Sequence, residues 1–414
     1  MTVDEGCLRP EIGGCRLLEL PFEILAHILS KVDGRTLIAV AATCRRLHSL
    51  LFDRDDIWRS AISPIIRPSI PTSSPMTCAP YKSYRDLFTQ LLPFTWFDPG
   101  IWHGNRDLHG SIYVSRYNPQ SGHLESHELF CVYDRQDDAP QTEWSINPSV
   151  VIQNFSPRIE KSQAAILKFT PATQYDKNHE VPQPLSPRGM ATSFMHAVSI
   201  SPERVVYPQM NLWPPLHIPA AERTRNDSPT GFRGQIVKRS DSKNLFRLRR
   251  WISFVHADAF GVIMGERVET IARVLPELYT PSAEYPLRGI WIGDYESHGG
   301  EFILFHQPQQ DKNRLEAIKL TGDPNVPRGE FTFVVDDLSH VERVATETEW
   351  PGARIVAAQG HTAALNFMNS TFSPTQLIII NENMVAHYWI NLYRIKVYRR
   401  VDVADLLAGG NGAM

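Results

Sequence analysis

The sequence predicts a multidomain chain: a small all-α unit followed by an all-β, barrel-like domain with a helical and loop insertion. Three observations predict it. Apolar residues recur at three- and four-residue spacing over 17–62. A stretch rich in Pro, Ser and Thr follows at 63–80. From Trp96 onward the apolar residues alternate with period two, in short runs separated by Gly and Pro.

Within the helical part, Pro21 suits a first helical position, where its missing N–H costs nothing. Ile24, Leu25, Ile28, Leu29 and Val32 then form one stripe, which Asp33-Gly34 interrupts. Leu37, Val40, Ala41 and Cys44 form a second stripe. Leu47, Leu50 and Leu51 form a third, closing on Ile57-Trp58. Helices this short bury too little surface to be very stable alone, so the unit is expected to lean on a partner. Residues 1–16 are expected to be a tail and 63–92 a linker. The β-domain is expected over 93–402, with its insertion at about 140–285.

In the β-domain, Leu129, Cys131 and Tyr133 alternate, as do Phe331, Phe333 and Val335. Tyr388, Ile390 and Leu392 alternate too, and a slip of phase after Leu392 suggests a bulge. Residues 171–232 read as loop, and Arg233–Arg250 as a basic, solvated face. Met264, Val268, Ile271 and Leu275 fit a helix ending at Pro276. Residues 403–414 are expected to be disordered. An internal echo joins the two ends of the domain. Gly100-Ile101-Trp102-x-Gly104 leads to His109-Gly110, and Gly289-Ile290-Trp291-x-Gly293 leads to His298-Gly299. This is expected to mark two equivalent strand–turn–strand corners of one closed domain, each Trp filling the core.

Composition bounds the function. Acids and bases nearly balance, at a net charge of −3, so a general nucleic-acid or membrane-surface binder is not expected. Five scattered cysteines without a CxxC pair argue against a disulfide framework or zinc site and for a reducing compartment, cytoplasm or nucleus. The N-terminal residues carry no apolar signal region, and no apolar run approaches membrane-spanning length. The sequons at Asn154 and Asn369 are therefore expected to stay unmodified. No HExxH, GxSxG, P-loop or GxGxxG is present, so no catalytic residue, metal or cofactor is expected. His109 and His298 read as turn residues.

The segment LLELPFEILAHILSKVDGRTLIAVAATCRRLHSLLFDRDDIWRSAI resembles the F-box over its whole length. The resemblance rests on Leu20-Pro21, Glu23-Ile24-Leu25, Ile28-Leu29, Val32, Leu37, Val40, Thr43-Cys44-Arg45-Arg46-Leu47 and Ile57-Trp58. It implies docking on a Skp-type adaptor and, through it, a cullin and a RING protein. Leu20, Pro21, Ile24, Leu25, Ile28, Leu29, Leu37, Cys44 and Trp58 would form or support the contact. A second resemblance is to the β-barrel of the F-box-only protein thirty-one family. It rests on GIWIGDYESHGGEFILF (289–305), LTGDPNVPRGE (320–330), RIVAAQGH (354–361), LIIINENMVAHYWINLYRIKVYRRV (377–401) and, more weakly, GIWHGNRDLHG (100–110). It implies a substrate-recognition barrel whose clients are read through their C-terminal tails. Ala357-Ala358-Gln359-Gly360 departs from the family's Ala-Gly-His-Gly, and the long insertion some members carry before that strand is missing, so client identity does not carry over. Thr321, Asp323, Asn325 and Arg328 are the expected client contacts.

The reading that follows is a non-catalytic substrate-recognition subunit of an SCF-type ubiquitin ligase. The adaptor binds the F-box and protein clients bind the barrel. The rival is a small-molecule-binding barrel with the F-box as a tether.

Overall fold

The computed structural model describes residues 16–66, 76–92, 97–106, 109–132, 142–153, 156–163, 165–169, 193–194, 199–202, 245–255, 262–295 and 298–412. The expected tail 1–16 (save Arg16), the loop 171–232 (save short strands at 193–194 and 199–202), and the start of the basic stretch at 233–244 lie outside the described residues. The chain divides into a helical unit and a β unit.

The helical unit contains α1 (Phe22–Leu29), α2 (Gly34–Ala41), α3 (Arg45–Asp53), α4 (Asp55–Ile66) and α5 (Tyr84–Leu91). Asp33 starts α2: its Oδ1 accepts from the amides of Arg35 and Thr36, both at 3.1 Å. Such a cap supplies about 1 kcal/mol. Leu25, Leu29, Leu37, Leu51, Ile57 and Trp58 are buried, so each stripe supplies the unit's own core. α5, which lies within the expected linker, completes that core. Phe88 lies 5.3 Å from the Trp58 ring, and a Cβ at Gly34 would stand 2.1 Å from Phe88.

The β unit runs in chain order through β1 (Gly100–Gly104), β2 (Ser111–Asn118), β3 (His123–Val132), β4 (Thr142–Trp144), β5 (Asn147–Gln153), β6 (Arg158–Lys161), β7 (Leu167–Phe169), β8 (Ser193–Phe194), β9 (Ser199–Pro202), β10 (Leu245–Val255) and β11 (Val262–Arg273). After α6 (Pro276–Tyr279) come β12 (Gly289–Asp294), β13 (Gly300–His306), β14 (Leu315–Lys319), β15 (Phe331–Val335), β16 (Val341–Val344), β17 (Arg354–Ala364), β18 (Met368–Asn381), β19 (Met384–Trp389) and β20 (Arg394–Arg400), then α7 (Val403–Ala408).

These strands make two sheets. The first has the order β6-β3-β2-β1-β11-β10-β8, with β7 on β3 and β9 on β10. The second, β12-β13-β14-β15-β17-β18-β19-β20, closes on itself because β12 also pairs with β20: an eight-stranded barrel. β16 pairs with β17 at its side. β5 joins β20 in parallel, over Arg394–Lys396. The interval 140–285 thus gives β4 and β5 to the second sheet and β6 to β11 to the first.

Trp291, Ile303, Phe305, Ala317, Phe333, Ala358, Leu377, Val385 and Tyr398 fill the barrel interior. Burial of each such large side chain stabilises by about 1.5–3 kcal/mol. A second core cluster joins the sheets, Ile101, Ile112 and Val114 packing with Ile290, Ile292, Leu304 and Ile318.

The echoed motif has a structural counterpart. Trp102 pairs in register with Arg273, and Trp291 with Arg400. Trp102 Nε1 donates to the carbonyl of Asp98, and Trp291 Nε1 to that of Leu287, each four residues back. Val274 N donates to Ile101 O and Val401 N to Ile290 O, both at 2.8 Å. A short helix follows each. Both indoles are fully buried. The equivalence holds, but the copies belong to two sheets of one unit and not to a single closed sheet, because β1 closes on β11 and β12 on β20.

Three further expectations are corrected. Residues 264–275 do not form a helix: β11 continues to Arg273, its β-branched residues paired with β10 and β1. The phase slip near Leu392 is not a bulge. A 3-10 turn at Ile390–Leu392 and the left-handed Tyr393 (φ 53°) link β19 to β20. The tail 403–414 is not wholly disordered. Asp402 caps α7, and Val403, Leu406 and Leu407 are buried. Among the described residues, no helix is long and apolar enough to cross a membrane.

Candidate functional site

The helical unit presents an apolar face. Ile24 is 50% exposed and Ile28 39%, one turn apart on α1; Phe22 at the start of α1 and Ile38 on α2 are exposed as well. Pro21 is exposed, and Leu20 and Cys44 are half-buried. Of the other expected adaptor residues, Leu25, Leu29, Leu37 and Trp58 stand behind this face as its support. Trp58 Nε1 donates to Leu51 O at 2.7 Å. The stripe splits because Ile24 and Ile28 form one i, i+4 row and Leu25 and Leu29 form the row beside it, about 100° further round the helix.

In the β unit, the turn after β14 is built by its own polar groups. Asp323 Oδ1 accepts from the amides of Asn325 (2.7 Å) and Val326 (2.8 Å). Asp323 Oδ2 accepts from Lys319 Nζ at 2.6 Å. Thr321 Oγ1 accepts from Phe302 N at 2.8 Å. Asn325 Nδ2 donates to Ala363 O at 3.0 Å. Gly322 N donates to His109 O, and His109 Nδ1 lies 3.0 Å from Gly322 O, giving the His109 turn its partner. A Cβ at Gly322 would stand 2.3 Å from Arg328 N, so this glycine admits the chain's own backbone. Arg328 is 2% exposed. All four expected client residues therefore cluster on one turn, where three hold the chain's own groups and the fourth is buried.

Beneath the turn lies a buried ionic cluster. Lys319 Nζ is 2.8 Å from Glu301 Oε2 and 2.6 Å from Asp323. It also lies 4.1 Å from the centroid of the Tyr295 ring. The Tyr295 hydroxyl meets Thr332 Oγ1 (2.6 Å) and Tyr398 OH (3.0 Å). Burial pushes the Glu301 carboxyl up to about 8 against the opposing Lys319 charge. Burial also acts on Asp323, but the Lys319 ammonium and the Val326 amide outweigh it and hold Asp323 at about 2. At neutral pH the lysine thus balances one carboxylate while Glu301 keeps its proton. Against the Phe333 ring, 4.3 Å away, burial pushes His387 down to about 3, with Lys396 acting in the same sense. The neutral ring meets Thr375 Oγ1 through Nε2 at 2.8 Å.

Sequence reasoning missed Glu301, Lys319, Tyr295 and His387. Their signal was phase: Glu301, Lys319 and His387 are polar residues at inward positions of otherwise apolar strands, and Tyr295 continues the inward phase of Trp291 one residue past β12. Among the described residues, no group of three or more His, Cys, Asp or Glu is placed to hold a metal.

Residues 17–62 match the family described as F-box-like, and residues 271–405 match the family described as cyclin D1 binding domain. No curated protein matches the chain. The chain therefore carries an F-box-like helical region, followed by a β-barrel region whose closed barrel lies within the second match.

Proposed function

We propose that the chain is the substrate-receptor subunit of an SCF-type ubiquitin ligase. The observation that carries this reading is the F-box-like match over 17–62 together with the exposed Ile24–Ile28 row. A small helical unit with an uncovered apolar stripe has the chemistry of a partner surface. On this reading a Skp-type adaptor takes the face, cullin and RING protein follow, and the work is binding. Replacing Leu20 and Pro21 by Ala should abolish adaptor co-purification. Unchanged co-purification would remove the reading's main support.

The barrel end framed by 321–328 is the proposed client site, in line with the resemblance to the F-box-only protein thirty-one barrel. The description cyclin D1 binding domain makes a cyclin of that kind the first client to test. Lys319 is committed to two acids, so that cluster has little positive charge to offer a tail's free carboxylate, and only Arg328 on the same turn could reverse the preference by pairing with it. A neutral terminus that donates N–H, such as an amide, suits it better. Peptides ending in a free acid or an amide would be titrated against wild type and Asp323→Asn. An amide preference that shrinks in the variant supports the site. Equal binding throughout would leave Asp323 as a turn residue. The small-molecule reading gains nothing from the barrel interior, which Trp291, Phe305, Phe333 and Tyr398 fill.

A further inference from the structure

The β17–β18 hairpin outruns the barrel that carries it. β15 pairs with β17 at Phe333↔Gly360 and Val334↔Gln359, and β19 pairs with β18 only from Gln376↔Tyr388. Beyond those pairs, 361–375 continues as a two-stranded ribbon, with His361↔Phe372, Thr362↔Thr371 and Ala364↔Met368 in register. The two edges of this ribbon differ. The β17 side and the tip are tied to the rest of the unit. His361 Nδ1 lies 2.8 Å from Phe331 O, Asn325 Nδ2 donates to Ala363 O, and Phe367 N donates to Pro324 O at 3.3 Å. On the β18 side, Met368–Thr375 meets no strand among the described residues.

An open edge offers a row of main-chain donors and acceptors, and chains normally guard such edges with charge. This one carries no charged guard: between Ile355 and Asn381 the sequence holds no Asp, Glu, Lys or Arg. It is also apolar. Leu365 is 57% exposed, Met368 56% and Phe372 39%. His361 stacks on Phe372 at 4.3 Å and 9°, fixing that ring. The tip holds Asn366, Phe367 and Asn369 at φ of 61°, 57° and 51°. A left-handed backbone is costly for a bulky Phe, and such strain concentrates at functional sites. Pro374 has no N–H to give, which bounds the usable ladder at Met368–Ser373.

We infer that the Met368–Ser373 edge is a strand-addition site for an extended client segment carrying apolar side chains at alternate positions. Main-chain pairing would supply affinity, and Met368 and Phe372 would supply the side-chain contacts. A client is favoured over a second copy by where the edge leads. It starts at Met368, beside the tip, where Phe367 N donates to Pro324 O and Asn325 Nδ2 donates to Ala363 O, so a strand laid on it brings one end to the 321–325 turn. The inference rests on the client-receptor reading and adds how the residues before the tail's end are held.

The test uses the full chain and short random linear peptides selected on it by display. Selected peptides should slow amide hydrogen exchange over Met368–Ser373. They should bind at least about tenfold more weakly to Met368→Lys and to Phe372→Lys, the loss expected for a central contact. Both side chains are exposed, so folding is checked by unchanged thermal unfolding. Peptides sensitive to Asp323→Asn but indifferent to both lysine variants, with no slowed exchange, would overturn the strand site and leave the receptor reading standing. Concentration-dependent sedimentation abolished by Met368→Lys would assign the edge to a second copy and overturn it too. So would a failure to select any peptide with adaptor co-purification intact.

Discussion

Lys319 is a charged side chain at the inward phase of an apolar strand, held by Glu301 and Asp323. A lysine so buried is tolerable only because a carboxylate is there to meet it. The two acids then diverge. Unfolded, Glu301 would lose its proton near its ordinary 4.5, whereas folded it keeps it to about 8. Between those values the folded state binds more protons, so stability falls as pH rises. Asp323 acts oppositely: what it contributes is present above its ordinary 3.8 and is lost as pH falls through about 2. Glu301→Gln removes the first effect and keeps the shape. Its urea midpoint should change less than wild type's between pH 5 and pH 8. Parallel profiles for the two proteins would mean that Glu301 carries no extra proton. The sequence offered the Gly-Asp-Pro-Asn turn as polar and specific. It gave no sign that the lysine four residues earlier meets both Asp323 and Glu301, because Glu301 lies on the neighbouring strand.

At the scale of elements, the stripes over 17–62 and the alternation after Trp96 were legible because each depends on near neighbours in sequence. What failed were elements decided by distant partners. Met264, Val268 and Ile271 satisfy helical spacing by coincidence: all three pair with β10, and Ile271 also pairs with Gly104 of β1, some 170 residues earlier in the chain. The repeated Gly-Ile-Trp corner was legible as an echo but not as two sheets, since β11 and β20, which close the two copies, share little beyond Arg-Val. Each Trp→Ala should cost about 3–5 kcal/mol, the range for large core aromatics. Both indoles stack on a phenylalanine, Phe97 for Trp102 and Phe305 for Trp291. Chemical denaturation of Trp102→Ala and Trp291→Ala should therefore show comparable losses. A loss below about 1 kcal/mol in either would deny that copy its core role.

The β unit as a whole is two sheets that share a core, the second taking β4 and β5 from the chain between β3 and β6 of the first. β5 leaves the neighbourhood of the first sheet and lies parallel to β20, where Val151 N donates to Tyr393 O at 3.0 Å and Gln153 Nε2 reaches Asp294 at 2.9 Å. Val151→Pro would remove that donor and leave a carbonyl unmet, a cost of about 1–3 kcal/mol. It should lower the thermal midpoint without touching adaptor co-purification, and an unchanged midpoint would show that the strand is ornamental. The borrowed strand also sets an order of manufacture. On the ribosome β5 emerges well before β20, so the piece that finishes the second sheet is already waiting when its neighbour appears. A fragment cut at 271, where the second family match begins, would be made without that piece. Its Arg394–Lys396 edge would stand bare, and such a fragment should collect in inclusion bodies where the whole chain does not.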